Sequence, residues 1–144
     1  MANNGGKRRG RVVDMSAGEP AHYKPPPCPP AVESNIRIEI TDTDELRIRM
    51  QVYKDLITFF AIMQMVWDDG EWKEVARIDC CHSTIHRHQF VLPDGRDIHD
   101  HQLIVEIPPD GGERWSVVND GYHKALAVMY EEWETNVQRW RDGR

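Results

Sequence analysis

Apolar and polar residues alternate from Asn35 onward. Ile36, Ile38 and Ile40 are separated by Arg37 and Glu39, Thr41 to Asp44 carries turn chemistry, and Leu46, Ile48 and Met50 then alternate with Arg47, Arg49 and Gln51. A period of two predicts strands with one buried face, so Ile36 to Ile40 and Glu45 to Tyr53 form a hairpin. Leu56 to Trp67 is almost continuously apolar, a pattern shared by a central strand and a buried helix. The turn signal Asp68-Asp69-Gly70-Glu71 decides for a strand, with Trp72 to Cys81 as its partner. His86 to Leu92 reads as the next strand, Pro93-Asp94-Gly95 turns it, and Gln102 to Ile107 returns. Pro108 to Gly112 ends the sheet.

Beyond that punctuation the period changes. Trp115, Val118, Tyr122, Leu126, Met129, Trp133, Val137 and Trp140 recur at steps of three and four, the spacing of one helix face. Glycine costs about 1 kcal/mol relative to alanine inside a helix, and Asn119 or Asp120 can cap a fresh start. The helix is therefore expected over 120–141, with 113–119 open and its aromatic face covering the sheet. The architecture predicted is α+β: an antiparallel meander sheet of about six strands packed by one long C-terminal helix.

Residues 1–34 differ in composition. A Gly/Arg/Lys start leads into Lys24-Pro25-Pro26-Pro27-Cys28-Pro29-Pro30, in which proline removes backbone donors and favours an extended chain. This stretch is expected to be a disordered basic and proline-rich arm ahead of a single α+β domain over 35–144. Lys7 to Arg11, KRRGR, can touch RNA or an acidic partner, although a solvated tail is its simpler fate.

Charge sharpens the contrast. The arm holds five basic and three acidic residues, and the remaining chain thirteen basic and twenty-one acidic. An acidic domain does not bind a polyphosphate through its overall field, so any contact with nucleic acid must be local or made by the arm. No apolar run is long enough to span a bilayer as a helix and no hydrophobic leader follows the basic start, which points to a cytoplasmic protein without membrane partners. Cys28, Cys80 and Cys81 are an odd count, and adjacent cysteines rarely bridge, so reduced thiols are expected, Cys80 as a small buried hydrophobe. Exposed strand edges allow a homodimer without demanding one.

The unusual chemistry is concentrated in Ala76 to Phe90, ARIDCCHSTIHRHQF. Alternation places Ile78 and Cys80 on one face and Arg77, Asp79 and Cys81 on the other; after a turn near Ser83 and Thr84, His86, His88 and Phe90 share a face. Three readings fit. In the first, one imidazole takes a proton from a ribose 2′-hydroxyl, the other protonates the leaving oxygen, Arg77 steadies the phosphate, and Asp79 orients a histidine or balances Arg77. In the second, His86 and His88 are metal ligands joined by Cys81, His82, His99 or His101, a donor set that favours zinc. In the third, the histidines hydrogen bond on a solvent face and do no chemistry.

Arg77-Ile78-Asp79 followed by His86-Arg87-His88, a further strand and a final helix resembles the TumE-type toxin components of bacterial toxin-antitoxin systems. That family has an Arg-hydrophobic-Asp strand, a short polar turn and an HxH strand. The turn here, Cys80 to Ile85, departs from the Gly-rich charged turn of the family, and the proline-rich arm is additional. The resemblance implies a metal-independent ribonuclease neutralised by an antitoxin protein, with Arg77, Asp79, His86 and His88 as its catalytic residues and RNA as substrate.

Overall fold

The computed structural model describes residues 22–81, 83–98 and 102–144. Five strands follow one another as an antiparallel meander: β1 (Val32–Glu39), β2 (Asp44–Tyr53), β3 (Leu56–Asp68), β4 (Glu71–Cys81) and β5 (Thr84–Val91). The far edge of β5 is shared by two short strands. β6 (Arg96–Asp97) pairs with Phe90 and Val91, and β7 (Gln102–Glu106) pairs with Thr84 to Arg87. One helix among the described residues, α1 (Arg114–Asp142), packs across β3, β4 and β5. The α+β meander follows the alternation pattern; the two-residue β6 is too short to leave such a pattern in the sequence.

Leu56–Asp68 is a strand because it is apolar for two different reasons. Phe60, Ile62, Gln64 and Val66 are buried toward the helix, while Phe59, Ala61, Met63 and Met65 are half-buried on the opposite face. Asp69 (φ 52°) and Gly70 (φ 82°) both occupy the left-handed region, as a tight hairpin turn requires.

Three boundaries depart from the sequence reading. β1 begins at Val32, and residues 22–34 of the expected arm belong to the fold. Tyr23 is buried, donates its hydroxyl to the Thr58 carbonyl at 2.6 Å, and donates its N–H to Ser83 Oγ. One aromatic beside a proline run gives no periodicity, so this anchor was not visible in the pattern. Residues 1–21, including KRRGR, lie outside the described residues. The helix, finally, begins at Arg114 and runs through Gly121.

That glycine has a packing role. A Cβ on Gly121 would collide with Ile85 Cδ1, so its absence lets α1 close onto β5. Asn119 does not start a helix here; its side-chain oxygen accepts the N–H of Ile57 at 2.9 Å and ties α1 to β3. Gly143, at φ 78°, closes the C-terminal end.

The core between sheet and helix is built on Leu46, Ile48, Phe60, Ile62, Ile78, Ile85, Met129 and Trp140. A polar seam runs through it. Asn136 Nδ2 donates to Gln64 Oε1 (2.9 Å), Arg87 Nη2 donates to Asn136 Oδ1 (2.8 Å), and Gln89 Nε2 donates to the Asn136 carbonyl (3.1 Å). These bonds offset much of the cost of burying the seam and specify where α1 sits along β5, although Arg87 Nε and Gln89 Oε1 are buried without a hydrogen-bond partner among the described residues. Ile85, Arg87 and Gln89 thus face the helix, which leaves His86, His88 and Phe90 on the other side of the sheet. Among the described residues no helix is long and apolar enough to cross a membrane.

Candidate functional site

Register brings the candidate residues together. In the β4–β5 ladder Asp79 stands opposite His86 and Arg77 opposite His88, all on the face away from α1. His86 Nε2 lies 3.0 Å from Asp79 Oδ1, and His88 Nε2 lies 3.6 Å from the same oxygen. The two imidazole rings meet edge to face with centroids 4.8 Å apart, and His88 stacks on Phe90. Both histidines are buried, at 5% and 8% exposure, so the solvent-face reading does not describe them.

The other nitrogen of each ring is occupied. His88 Nδ1 is 2.6 Å from Asp97 Oδ2, delivered by β6. A carboxylate only accepts, so Nδ1 carries the proton. His86 Nδ1 is 3.0 Å from Thr84 Oγ1, whose hydroxyl donates to the Cys81 carbonyl at 2.8 Å. With its one proton so used, Thr84 accepts from His86, and Nδ1 again carries the proton. In the neutral rings both Nε2 atoms are then acceptors, turned toward Asp79 Oδ1. That oxygen is buried, and its 3.0 Å contact with His86 lacks the alignment of a hydrogen bond. Donor atoms of Asp79, His86 and His88 all fall within 4.8 Å of one another, a spacing in which three ligands can share one ion.

Arg77 belongs to the same face but is engaged elsewhere. Its Nε and Nη2 donate to Glu74 at 2.8 and 2.7 Å, its Nη1 is 3.8 Å from Asp79 Oδ2, and its guanidinium lies over the Phe90 ring. The Glu74 bonds raise its already high pKa further. Cys81 does not join the cluster. Its side chain is exposed, and burial of the sulfur, then the Asp79 charge, raises its thiol pKa, so it remains protonated at neutral pH. Cys80 points into the core, where burial pushes it up to about 12. His82, His99 and His101, the other expected metal ligands, lie outside the described residues.

Alternation identified Asp79, His86 and His88 but not their supports. Asp97, Thr84 and Glu74 are ordinary polar residues in sequence. Asp97 could have been found by folding the Pro93-Asp94-Gly95 turn back on Phe90, which sets it beside His88.

Fold and site together define an α+β domain with an Asp/His/His cluster on the sheet face opposite its helix. The chain belongs to the family described as domain of unknown function DUF7718, whose model matches residues 31–144. No curated protein and no solved structure matches it.

Proposed function

We propose that this domain works through one divalent transition-metal ion, zinc or ferrous iron, held by His86 Nε2, His88 Nε2 and Asp79 Oδ1. The observation that carries the reading is the commitment of both Nδ1 atoms to neighbours. It turns both Nε2 atoms toward one buried carboxylate oxygen, and two imidazole nitrogens and a carboxylate gathered this closely are a donor set that one ion can share. Asp97 and Thr84 take the part of the outer partners that fix the tautomer and direction of metal-bound histidines. Three protein ligands leave room for water or a substrate oxygen, the pattern of catalytic zinc and of non-haem iron. A bound ion would acidify that water or polarise the substrate. Arg77, at the rim, complements an anionic substrate such as a phosphate ester.

A second reading keeps the same residues without metal: RNA cleavage by histidine acid-base chemistry, with an antitoxin as partner, as the family resemblance implies. The His88–Asp97 pair favours it, since a carboxylate at 2.6 Å is how a general base is oriented. Arg77 would then exchange one of its Glu74 bonds for a phosphate oxygen.

One experiment separates the two. The full chain is stripped with chelator, reloaded with Zn(II), or with Fe(II) without oxygen, desalted, and its metal content measured beside His86→Ala and His88→Ala proteins that are folded by circular dichroism. About one ion per chain in the wild type and little in either variant supports the metal centre. Substoichiometric metal in the wild type, together with histidine-dependent RNA cleavage in excess chelator, replaces it with the acid-base reading.

A further inference from the structure

We propose that β1 is a self-recognition edge, through which two copies of this chain join their sheets about a two-fold axis at Asn35. The strand has eight residues, pairs with β2 without a register shift, contains no proline, and among the described residues has one neighbouring strand. Seven of its eight residues are exposed, with Val32 at 64% and Ile36 at 42%. Edges of this kind are normally shortened, bulged or covered, because their free N–H and C=O groups template another strand. The opposite side of the sheet is blunted in that way by the short β6 and β7.

Hydrogen-bond phase and charge select one partner and one register. Ile40 N–H donates to the Asp44 carbonyl at 2.9 Å, continuing the β1–β2 register by one residue. Even-numbered residues of β1 therefore turn their N–H and C=O toward β2, and Glu33, Asn35, Arg37 and Glu39 turn theirs outward. An antiparallel copy can bond only to those outward groups. With Asn35 opposite Asn35 of the copy, Glu33 faces Arg37 twice, and Val32 covers Ile38 on the helix side. Moving the copy one step in one direction sets Arg37 against Arg37. An equal step the other way sets Glu33 against Glu33, the half-steps between oppose Glu33 with Asn35 or with Glu39, and none of these recovers the ion pairs. Arg37 has its side chain 69% exposed while bound to Glu45, and Glu33 is 40% exposed, so both present free surface to a second strand. The pairing adds about six backbone hydrogen bonds and buries the apolar residues that β1 leaves in water. The metal cluster lies three strands away, so this edge does not depend on it.

Sedimentation of the full chain from low to high micromolar concentration tests the association, and cross-linking tests the register. The wild type is expected to dimerise with concentration. Arg37→Glu, which opposes two glutamates across each half of the interface, should weaken dimerisation by roughly tenfold or more, and Glu33→Arg with Arg37→Glu should recover it. In a Cys28→Ser/Cys81→Ser background, Asn35→Cys should be captured as a covalent dimer by a short bismaleimide, whereas Glu39→Cys, far from the axis, should not. A chain that stays monomeric throughout, or a dimer captured at Glu39 and not at Asn35, overturns the proposal.

Discussion

His88 Nδ1 and Asp97 Oδ2 lie 2.6 Å apart, although they belong to β5 and to a strand only two residues long. Asp97 also accepts the Gln89 N–H through its other oxygen at 3.1 Å, so the carboxylate is braced on the strand whose histidine it holds. On the metal reading its part is to hold the His88 ring in place. Asp97→Asn should therefore weaken zinc binding by about 10- to 100-fold while the metal-free protein keeps its circular dichroism spectrum. Titration with a competing chromophoric chelator measures this. Unchanged affinity would remove Asp97 from the site.

Gly121 and Ile85 offer a test of packing with a definite sign. Alanine improves helix propensity by about 1 kcal/mol, but here its methyl meets Ile85 Cδ1, the end of a fully buried side chain that must shift to admit it. Overpacking of this kind costs about 1–3 kcal/mol. Gly121→Ala should thus destabilise in urea denaturation, and Ile85→Val, which removes that carbon, should cost less in the Gly121→Ala background than in the wild type. A stabilising Gly121→Ala would show that α1 and β5 are not in contact at this height.

Glu45 makes stability depend on pH. Burial alone would raise its carboxyl pKa, but hydrogen bonds from Arg37 and Arg47 outweigh burial and hold it below the ordinary value. A group whose folded pKa is depressed contributes fully above its unfolded pKa and loses that contribution as pH falls through the folded one. Because Arg37 is largely in water, screening limits the gain, and Glu45→Gln should cost about 1 kcal/mol at pH 7. The difference from wild type should shrink as pH drops below about 4.3. A gap independent of pH would assign the effect to shape, not charge.

How much of this was legible in sequence depends on whether a residue's role is periodic. Ile36 to Ile107 alternate because each strand has a wet or polar face and a dry one, so the meander and the sharing of one face by His86 and His88 followed from spacing alone. The strand at Leu56–Asp68 needed its turn, since a centre strand is apolar on both faces. Gly121 misled because helix propensity is local, whereas its fitness is set by Ile85, 36 positions away in the chain but beneath it in the fold. Tyr23 and Asp97 were silent for the same reason: each acts by a single long-range contact, and one contact has no period.

β5 has no idle side. Ile85, Arg87 and Gln89 are locked into the helix, and the residues between them carry the imidazoles. A strand repeats every two residues, so a slip of one position would drive the histidines into oil and lift Ile85 into the site. Such an error cannot be small. The cluster is therefore complete when the core is complete and absent when it is not, which makes the meeting of Asp79, His86 and His88 itself a gauge of correct folding.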